Sequence, residues 1–214
     1  MQTLVKICGL TRDQDVEACI DLGANWLGFN CYTKSKRYIS PDKIRQLHAR
    51  IPPEVTTVGV FVNESIEKVN RIMQDTGLQL VQLHGDESPK YTQALNHKYI
   101  RAFRVSPQFQ LETIMKFHLT HFLLDTYHPN LYGGTGDSFN WEIAKKAKTF
   151  GHLILAGGLT PENVKKAMVI VRPFAVDVCS GVEAAPGVKD LKLVEAFISA
   201  VQSADQIASV SAIM

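Results

Sequence analysis

The chain has 214 residues, of which 45% are hydrophobic, and this is enough for one large domain with a full core. Its formal net charge of +2 is too small to indicate a surface for nucleic acid or another polyanion. No apolar run approaches the ~18 residues of a membrane span, and the first predicted strand begins too near Met1 to leave room for a signal peptide.

Eight apolar runs alternate with helical stretches along the whole chain. Runs that are apolar at nearly every position are typical of strands buried on both faces, as in a parallel sheet. Eight such units with short connections most economically close into a (β/α)₈ TIM barrel, and a doubly wound open sheet is the alternative. The predicted strands are Leu4–Cys8, Trp26–Asn30, Thr57–Val62, Leu80–His84, Ile100–Val105, His121–Thr126, Leu153–Gly157 and Phe174–Cys179. The predicted helices are Asp13–Leu22, Pro41–Arg50, Ser65–Thr76, Ser88–Asn96, Gln108–Phe117, Asn140–Thr149, Pro161–Val171 and about Lys189–Val201.

No linker, low-complexity segment or change of composition divides the chain, so residues 1–202 are predicted to form a single barrel domain. The segment 203–214 is small and weakly amphipathic, and we expect it either to extend the last helix or to fray. The active site of such a barrel lies at the C-terminal ends of its strands. Packing favours aliphatic residues there, so polar and reactive side chains at these ends are candidate site residues.

Cys8 ends the first predicted strand, and side chains alternate along a strand, so Lys6 lies on the same face. A thiolate is both a nucleophile and a competent base, and a nearby ammonium group would lower the pKa of the thiol. A small core cysteine is the alternative. Thr11 is predicted to cap the helix that follows.

The four cysteines show no CxxC pair, and a chain with an ample core needs no disulfide. We therefore expect reduced thiols and a cytoplasmic protein. The cysteines are Cys8, Cys19, Cys31 and Cys179.

Asp125 ends the run Phe122-Leu123-Leu124-Asp125 near the end of the sixth predicted strand, where a buried carboxyl is costly unless it is paired or used. Partial burial that raised its pKa would suit a general acid, with a helix cap or a salt bridge as alternatives. The long polar loop that follows, Tyr127–Phe139, is predicted to be a mobile lid over the site. The glycine-rich centre of this lid is Gly133, Gly134, Thr135 and Gly136.

Glycines follow both the seventh and the eighth predicted strands. Gly157-Gly158 precedes Thr160, a predicted N-cap, and Pro161 at the first helical position. Ser180-Gly181 is a similar glycine-containing turn after the eighth strand. Glycines let backbone N–H groups approach a phosphate, and barrel phosphate sites lie in these two loops. Both loops are therefore predicted to bind phosphate, with plain tight turns as the alternative.

Three further positions on the predicted rim carry polar side chains. Arg37, in a basic segment after the second strand, is placed to grip a carboxylate in a two-pronged contact, although most basic clusters are solvated surface. Gln82 and His84 share one face of the fourth strand, and His84 is either a proton shuttle or a hydrogen-bonded structural residue.

The spacing of His118 and His121 resembles that of metal ligands, but the two residues lie at the start of the sixth strand, at the end of the barrel opposite to the predicted site. We find no credible metal cluster in the sequence.

Six segments together resemble the phosphoribosylanthranilate isomerase family, in order from the first strand to about Phe197. The resemblance implies an Amadori rearrangement of N-(5-phosphoribosyl)anthranilate to 1-(2-carboxyphenylamino)-1-deoxyribulose 5-phosphate in tryptophan biosynthesis, without cofactor or metal. The expected partner is this small phosphorylated substrate, and either a monomer or a homodimer is compatible. The segments are Lys6–Thr11, Lys34–Ser40, Val58–Asn63, Val81–Gly85, Tyr132–Gly136 and Asp177–Glu183.

The resemblance also implies roles for individual residues. Asp125 would be the general acid that protonates the furanose ring oxygen, and Cys8 the general base that removes the proton from C2. Arg37 would hold the anthranilate carboxylate, and the loops at Gly157-Gly158 and Ser180-Gly181 would hold the phosphate. A related histidine-pathway isomerase is the nearest rival, although that family usually has Asp at the position of Cys8. The second rival interpretation is a catalytically inactive barrel that binds phosphate metabolites as a sensor.

Two contacts are expected if the barrel closes. Lys6 and Asp177 would form a buried ion pair in the interior. The first and eighth strands would become neighbours, bringing Cys8 close to Cys179, and we expect reversible oxidative inactivation at Cys8 through a disulfide or a sulfenic acid.

Overall fold

A computed structural model describes residues 2–117, 119–126 and 140–211, and only the backbone of residues 208–211. Its eight parallel strands, β1 to β8, pair in chain order, and β8 pairs with β1, so the sheet is closed. The predicted TIM barrel is confirmed, and the open sheet is excluded. The strands are β1 Leu4–Cys8, β2 Trp26–Asn30, β3 Thr56–Phe61, β4 Leu80–Leu83, β5 Tyr99–Val105, β6 His121–Thr126, β7 His152–Leu155 and β8 Ala175–Val178.

The helices lie outside the barrel, between successive strands. Three of them begin after a serine whose hydroxyl accepts a hydrogen bond from the backbone N–H three residues later, which satisfies one of the free donors of the first turn. These serines are Ser40, Ser65 and Ser88. The helices are α1 Asp13–Asp21, α2 Pro41–His48, α3 Ile66–Thr76, α4 Pro89–Ala94, α5 Glu112–Met115, α6 Trp141–Ala147, α7 Val164–Val171 and α8 Leu191–Ser211.

Apolar side chains form two layers on either side of the strands. The larger layer lies between the strands and the helices, and includes Phe122 and Leu124 of β6. The smaller layer fills the interior of the barrel toward the N-terminal ends of the strands, and includes Leu123 of β6 and Trp26 of β2. Because side chains alternate along a strand, the next inward-facing position of β6 is Asp125. The barrel interior near the C-terminal ends of the strands is therefore lined by polar side chains.

Two predicted helix caps are wrong. Helix α1 begins at Asp13 after Arg12, which makes no side-chain cap, and the Thr11 hydroxyl instead donates to the carbonyl oxygen of Gly187 at 2.5 Å. Helix α7 begins at Val164, not at Pro161. The backbone N–H of Thr160 donates to the Asn163 side chain at 2.9 Å. In both cases a contact within or across the loops replaces the local cap.

The loop after β8 contains two short strands that the sequence did not predict. Strand β9, Glu183–Ala185, pairs antiparallel with β10, Val188–Lys189, after a 3₁₀ turn at Ser180–Val182. Elements of two and three residues are too short to show an alternation of apolar and polar positions. The hairpin places Gly187 against Thr11. It also places Lys189 under the start of the loop after β8, where Lys189 Nζ donates to the carbonyl oxygen of Cys179.

Helix α8 continues through most of the segment 203–214, as far as Ser211. Ala204 on this extension is buried. The carboxylate of Asp205 accepts hydrogen bonds from the backbone N–H and the hydroxyl of Thr3, at 2.7 and 2.8 Å. None of the helices within the described ranges combines the length and the apolar character needed to cross a membrane.

Candidate active site

A cavity of about 490 Å³ opens at the C-terminal ends of the strands. Because these ends carry the polar side chains, the cavity gathers most of the predicted site residues. Lys6 lies beneath it, completely buried. The predicted lid residues, Gly133, Gly134, Thr135 and Gly136, lie outside the described residues. The predicted residues that line the cavity are Cys8, Arg37, Gln82, His84, Asp125, Gly157, Gly158, Asp177, Ser180 and Gly181.

The floor of the cavity is an ion pair between Lys6 of β1 and Asp177 of β8. The two residues are register partners, and Lys6 Nζ donates to Asp177 Oδ1 at 3.0 Å, which confirms the predicted pair. Burial lowers the pKa of Lys6, but the charges of Asp177 and Cys8 outweigh burial and raise it overall. Burial raises the pKa of Asp177 to about 7, against the opposing charge of Lys6.

Cys8 lies one step above Lys6 on the same face of β1, and it is the more acidic of two neighbouring thiols. A hydrogen bond from Cys179 holds the pKa of Cys8 well below its usual value, and the charges of Lys6 and Lys189 lower it further against the effect of burial. The same contact, together with burial, raises the pKa of Cys179 well above its usual value. Lys6 was predicted to act on Cys8, whereas the contribution of Cys179 to its acidity was missed.

Asp125 is held at the end of a short chain of hydrogen bonds. Its Oδ1 accepts from the backbone N–H of Thr126 at 2.8 Å, and its Oδ2 lies 3.2 Å from His84 Nε2. The Gln82 amide lies 2.9 Å from His84 Nδ1. If the Gln82 Nε2 donates to Nδ1, then His84 is neutral and donates its Nε2–H to the carboxylate of Asp125. This arrangement leaves one oxygen of the carboxylate fixed by the backbone and the other oriented by the imidazole.

Arg37 reaches the cavity rim, but Glu183 already occupies one edge of its guanidinium group. Arg37 Nε lies 2.9 Å from Glu183 Oε1, and Nη2 lies 2.7 Å from Oε2, so the contact is two-pronged. Among the described residues, Nη1 makes no hydrogen bond. Glu183 therefore takes the Nε–Nη2 edge of the guanidinium group, and the outer edge, formed by Nη1 and the second N–H of Nη2, remains for a ligand carboxylate.

The buried carboxylate of Glu183 accepts hydrogen bonds from several groups around the site, and the sequence did not identify it as a site residue. Its Oε1 also accepts from Lys189 Nζ at 3.1 Å and from the backbone N–H of Gly187 at 3.2 Å. Burial raises the pKa of Glu183, but the hydrogen bonds from Arg37 and the charge of Lys189 outweigh it, so the pKa lies below its usual value. The motif at Ser180–Glu183 was the one sequence signal that included this carboxylate.

The two glycine loops pack against each other on one side of the cavity. Gly157 and Gly158 have φ values of +83° and +62°, which favour glycine. A Cβ at Gly157 would lie 2.6 Å from the backbone nitrogen of Thr126, and a Cβ at Gly181 would collide with the carbonyl oxygen of Leu159. Both loops thus present bare backbone to the cavity.

Asn163 shapes the first of these loops, a role that the sequence did not reveal. Its Nδ2 donates to the carbonyl oxygen of Gly158 at 2.7 Å, while its Oδ1 accepts from Thr160 N. Helix α7 begins at the next residue, directly behind the loop, and the backbone N–H of Val164 donates to the carbonyl oxygen of Thr160 at 3.0 Å. This combination of glycine backbone and helix start is typical of anion sites in barrels.

The described part of the chain contains no group of three side chains suited to hold a metal ion. His121 and His152 are the first residues of β6 and β7, and their rings stack at a centroid distance of 5.0 Å. This end of the strands is opposite to the cavity. His118 lies outside the described residues.

Comparison with known proteins shows similarity over nearly the whole chain. Residues 5–200 match the family model described as N-(5'phosphoribosyl)anthranilate (PRA) isomerase. The N-(5'-phosphoribosyl)anthranilate isomerase of Trichlorobacter lovleyi is 49% identical over 195 residues, which are 91% of this chain and 95% of that protein.

Two solved structures of the same kind superpose closely. The phosphoribosyl anthranilate isomerase of Thermotoga maritima has a TM-score of 0.89 at 40% identity, covering 94% of this chain and 100% of that one. A second such isomerase was solved in complex with reduced 1-(o-carboxyphenylamino)-1-deoxyribulose 5-phosphate. It has a TM-score of 0.84 at 38% identity, with coverages of 94% and 100%.

Proposed function

Because this chain belongs to the N-(5'-phosphoribosyl)anthranilate isomerase family, we propose that Cys8 and Asp125 carry out the two proton transfers of its reaction. The chain is an isomerase of tryptophan biosynthesis, which converts N-(5'-phosphoribosyl)anthranilate to 1-(2-carboxyphenylamino)-1-deoxyribulose 5-phosphate. In this Amadori rearrangement an aminoaldose becomes an aminoketose. One proton must reach the ring oxygen, and another must leave C2.

Asp125 is the general acid in this proposal. Its proton passes to the furanose ring oxygen, the bond from that oxygen to C1 breaks, and the ring opens to a Schiff base between C1 and the anthranilate nitrogen. The hydrogen bonds from Thr126 and His84 fix the orientation of the carboxyl group. A positioned acid of this kind needs no reorganisation when the oxygen becomes basic.

Cys8 is the general base. Its thiolate removes the proton from C2 of the Schiff base, whose iminium withdraws electrons, and the resulting enolamine becomes the ketose. The Lys6 ammonium below and the Cys179 thiol beside it stabilise the thiolate in the buried site. A thiol with an ordinary pKa would be only a few per cent ionised at neutral pH.

The single observation that supports these roles most strongly is the placement of the two groups around one cavity. Cys8 is the last residue of β1 and Asp125 the residue before the last of β6, three strands away around the closed barrel. Each has a separate set of partners, a cation and a thiol for Cys8, an imidazole and a backbone N–H for Asp125. The two sets favour a base on one side of the sugar and a separately controlled acid on the other.

The remaining groups anchor the ends of the substrate. In this proposal the free edge of the Arg37 guanidinium group binds the anthranilate carboxylate, and the loops at Gly157-Gly158 and Ser180-Gly181 bind the phosphate; all of these residues line the cavity. Lys6, Gln82, His84 and Asp177 are positioning residues, which act through Cys8 or Asp125. We also propose a cytoplasmic location, where the free thiols of the chain stay reduced.

The dependence of kcat/KM on pH tests the role of Cys8 as a base. The base must be deprotonated, and its lowered pKa predicts that no fall in kcat/KM centred at about 8.5, the ordinary value of a thiol, appears as the pH is lowered. The measurement is the loss of substrate fluorescence on turnover. The ultraviolet absorbance of the thiolate, with Cys8→Ser as the blank, titrates the same group directly. A fall in both signals that is centred near the ordinary thiol pKa would contradict the assignment.

Replacing Arg37 with alanine is expected to raise KM by about 10- to 100-fold, because a charge-assisted hydrogen bond to the substrate carboxylate is lost. The effect on kcat is expected to be smaller. Arg45→Ala is the matched control, since Arg45 is an exposed arginine on α2 that pairs with Asp42. Competition by inorganic phosphate separates local recognition from collapse of the loops. An equal loss of affinity for phosphate would show that Arg37 acts only through Glu183.

A further inference from the structure

Cys8 and Cys179 form the pair directly above the Lys6–Asp177 ion pair. Strands β1 and β8 are parallel and hold Lys6 opposite Asp177 and Ile7 opposite Val178. Cys8 and Cys179 are the next residues on the two chains, and both line the cavity. Neighbouring strands lie about 4.8 Å apart, which is within the Cα separation of about 4.4–6.8 Å found in disulfides. The pairing of β1 with β8 is thus compatible with a disulfide between the two residues.

The two sulfur atoms lie over glycines that leave them room. A Cβ added at Gly28 would lie 2.8 Å from the Cys8 sulfur, and one added at Gly9 would lie 2.9 Å from the Cys179 sulfur. Both thiols are free in this structure. Glu183 Oε1 lies 3.8 Å from the Cys179 sulfur. The two sulfurs therefore lie at the ends of adjacent strands and beside the same cavity.

We propose that Cys8 and Cys179 are a peroxide-sensitive thiol pair, which closes to a disulfide and opens again on reduction. The Cys8 thiolate attacks hydrogen peroxide, the O–O bond breaks, and Cys8 becomes a sulfenic acid while hydroxide leaves and is protonated to water. The Cys179 sulfur then attacks the sulfenic sulfur, an S–S bond forms, and the hydroxyl leaves as water with the thiol proton. The two sulfurs give up two electrons, which reduce one peroxide to two waters.

The other two cysteines are unsuited to this reaction. Cys19 lies on the core side of α1 and Cys31 is buried at the start of the loop after β2, and burial raises the pKa of each to about 12. Neither has a thiol partner, whereas the Cys8 thiolate faces an open cavity beside one. Oxidation is therefore expected at one site, and the buried cysteines provide internal controls.

The effect of the disulfide on turnover rests on the proposed role of Cys8 as the base. A sulfur in a disulfide has no lone pair basic enough to remove a proton from carbon, so closure of the pair switches the enzyme off. Formation of the bond itself does not depend on that role. The two can be measured separately, as a linked peptide and as a rate.

The experiment exposes the purified chain to a small excess of hydrogen peroxide, removes the peroxide with catalase, blocks the remaining thiols and digests without reduction. Mass spectrometry is expected to find the Cys8 peptide joined to the Cys179 peptide, with activity reduced by about tenfold or more and restored by dithiothreitol. Cys31→Ser is expected to behave as the wild type. Cys179→Ser, which keeps a hydroxyl donor, is expected to form no linked peptide, to accumulate sulfinic acid at Cys8 and to regain little activity.

Three results would be decisive against parts of the proposal. Oxidation without the linked peptide, or recovery of Cys179→Ser equal to that of the wild type, would overturn the thiol pair. A linked peptide in a fully active enzyme would support the pair and overturn the role of Cys8 as the base. The two proposals therefore fail in different ways.

Discussion

Cys8→Ala is expected to lower kcat/KM by about 10²–10⁴-fold, the contribution that a positioned proton-transfer group makes to a rate. The variant loses the thiolate that faces the cavity but keeps the Lys6–Asp177 pair below it. The loss is expected mainly in kcat, because the groups directed to the phosphate and the carboxylate remain in place. The measurement is the decay of fluorescence after freshly generated phosphoribosylanthranilate is mixed with enzyme.

Cys31→Ala is the matched control for this variant, since it removes a buried thiol outside the proposed proton path. Circular dichroism and thermal unfolding would show whether both variants fold as the wild type does. Comparable activity in the wild type and a well-folded Cys8→Ala would remove Cys8 from the mechanism. A loss as large in Cys31→Ala would indicate that the defect comes from packing.

Asp125→Asn is expected to cause a loss of similar size, about 10²–10⁴-fold in kcat/KM, for a different reason. The amide has the shape of the carboxyl group, and its oxygen can still accept from Thr126 N, but it has no acidic proton for the ring oxygen. Ring opening then becomes the slow step. Single-turnover kinetics would show that the defect lies before proton removal from C2.

Asp75→Asn provides the control for Asp125→Asn, because Asp75 is an exposed carboxylate near the end of α3. It removes the same charge from the chain without reaching the cavity. Near-wild-type turnover by Asp125→Asn would contradict the acid role and would direct attention to His84, whose imidazole lies beside the carboxylate. A loss of turnover in Asp125→Asn, with normal turnover in Asp75→Asn, supports the role of Asp125 as the acid.

The sequence was sufficient for the barrel because its strands are short apolar runs that recur at similar intervals. The same pattern predicted which residues meet at the cavity, since Cys8, His84 and Asp125 all lie where apolar runs end. The Lys6–Asp177 pair also followed, because barrel closure makes the first and last strands neighbours. Local alternation and one topological rule were enough for these residues.

Contacts between distant loops were not predictable in the same way. Thr11 and Thr160 have the residue type of helix caps, but Gly187 and Asn163 engage them instead. The hydrogen bonds from Gln82 through His84 to Asp125 cross from β4 past β5 to β6, and no spacing along the chain encodes that meeting. These contacts depend on how loops fold over the barrel end, which the sequence pattern does not specify.

Glu183 joins Arg37, the residue proposed to bind the anthranilate carboxylate, to the loop after β8, which is proposed to bind the phosphate. Its side chain is only 4% exposed, and Arg37 and Lys189 neutralise it from two different loops. Exchange of Arg37 for a neutral residue would leave a buried carboxylate with half its cationic partners, which is costly. Ligand preference at position 37 is therefore epistatic with position 183. A lineage that changes its substrate must alter both residues, or lose stability at the intermediate step.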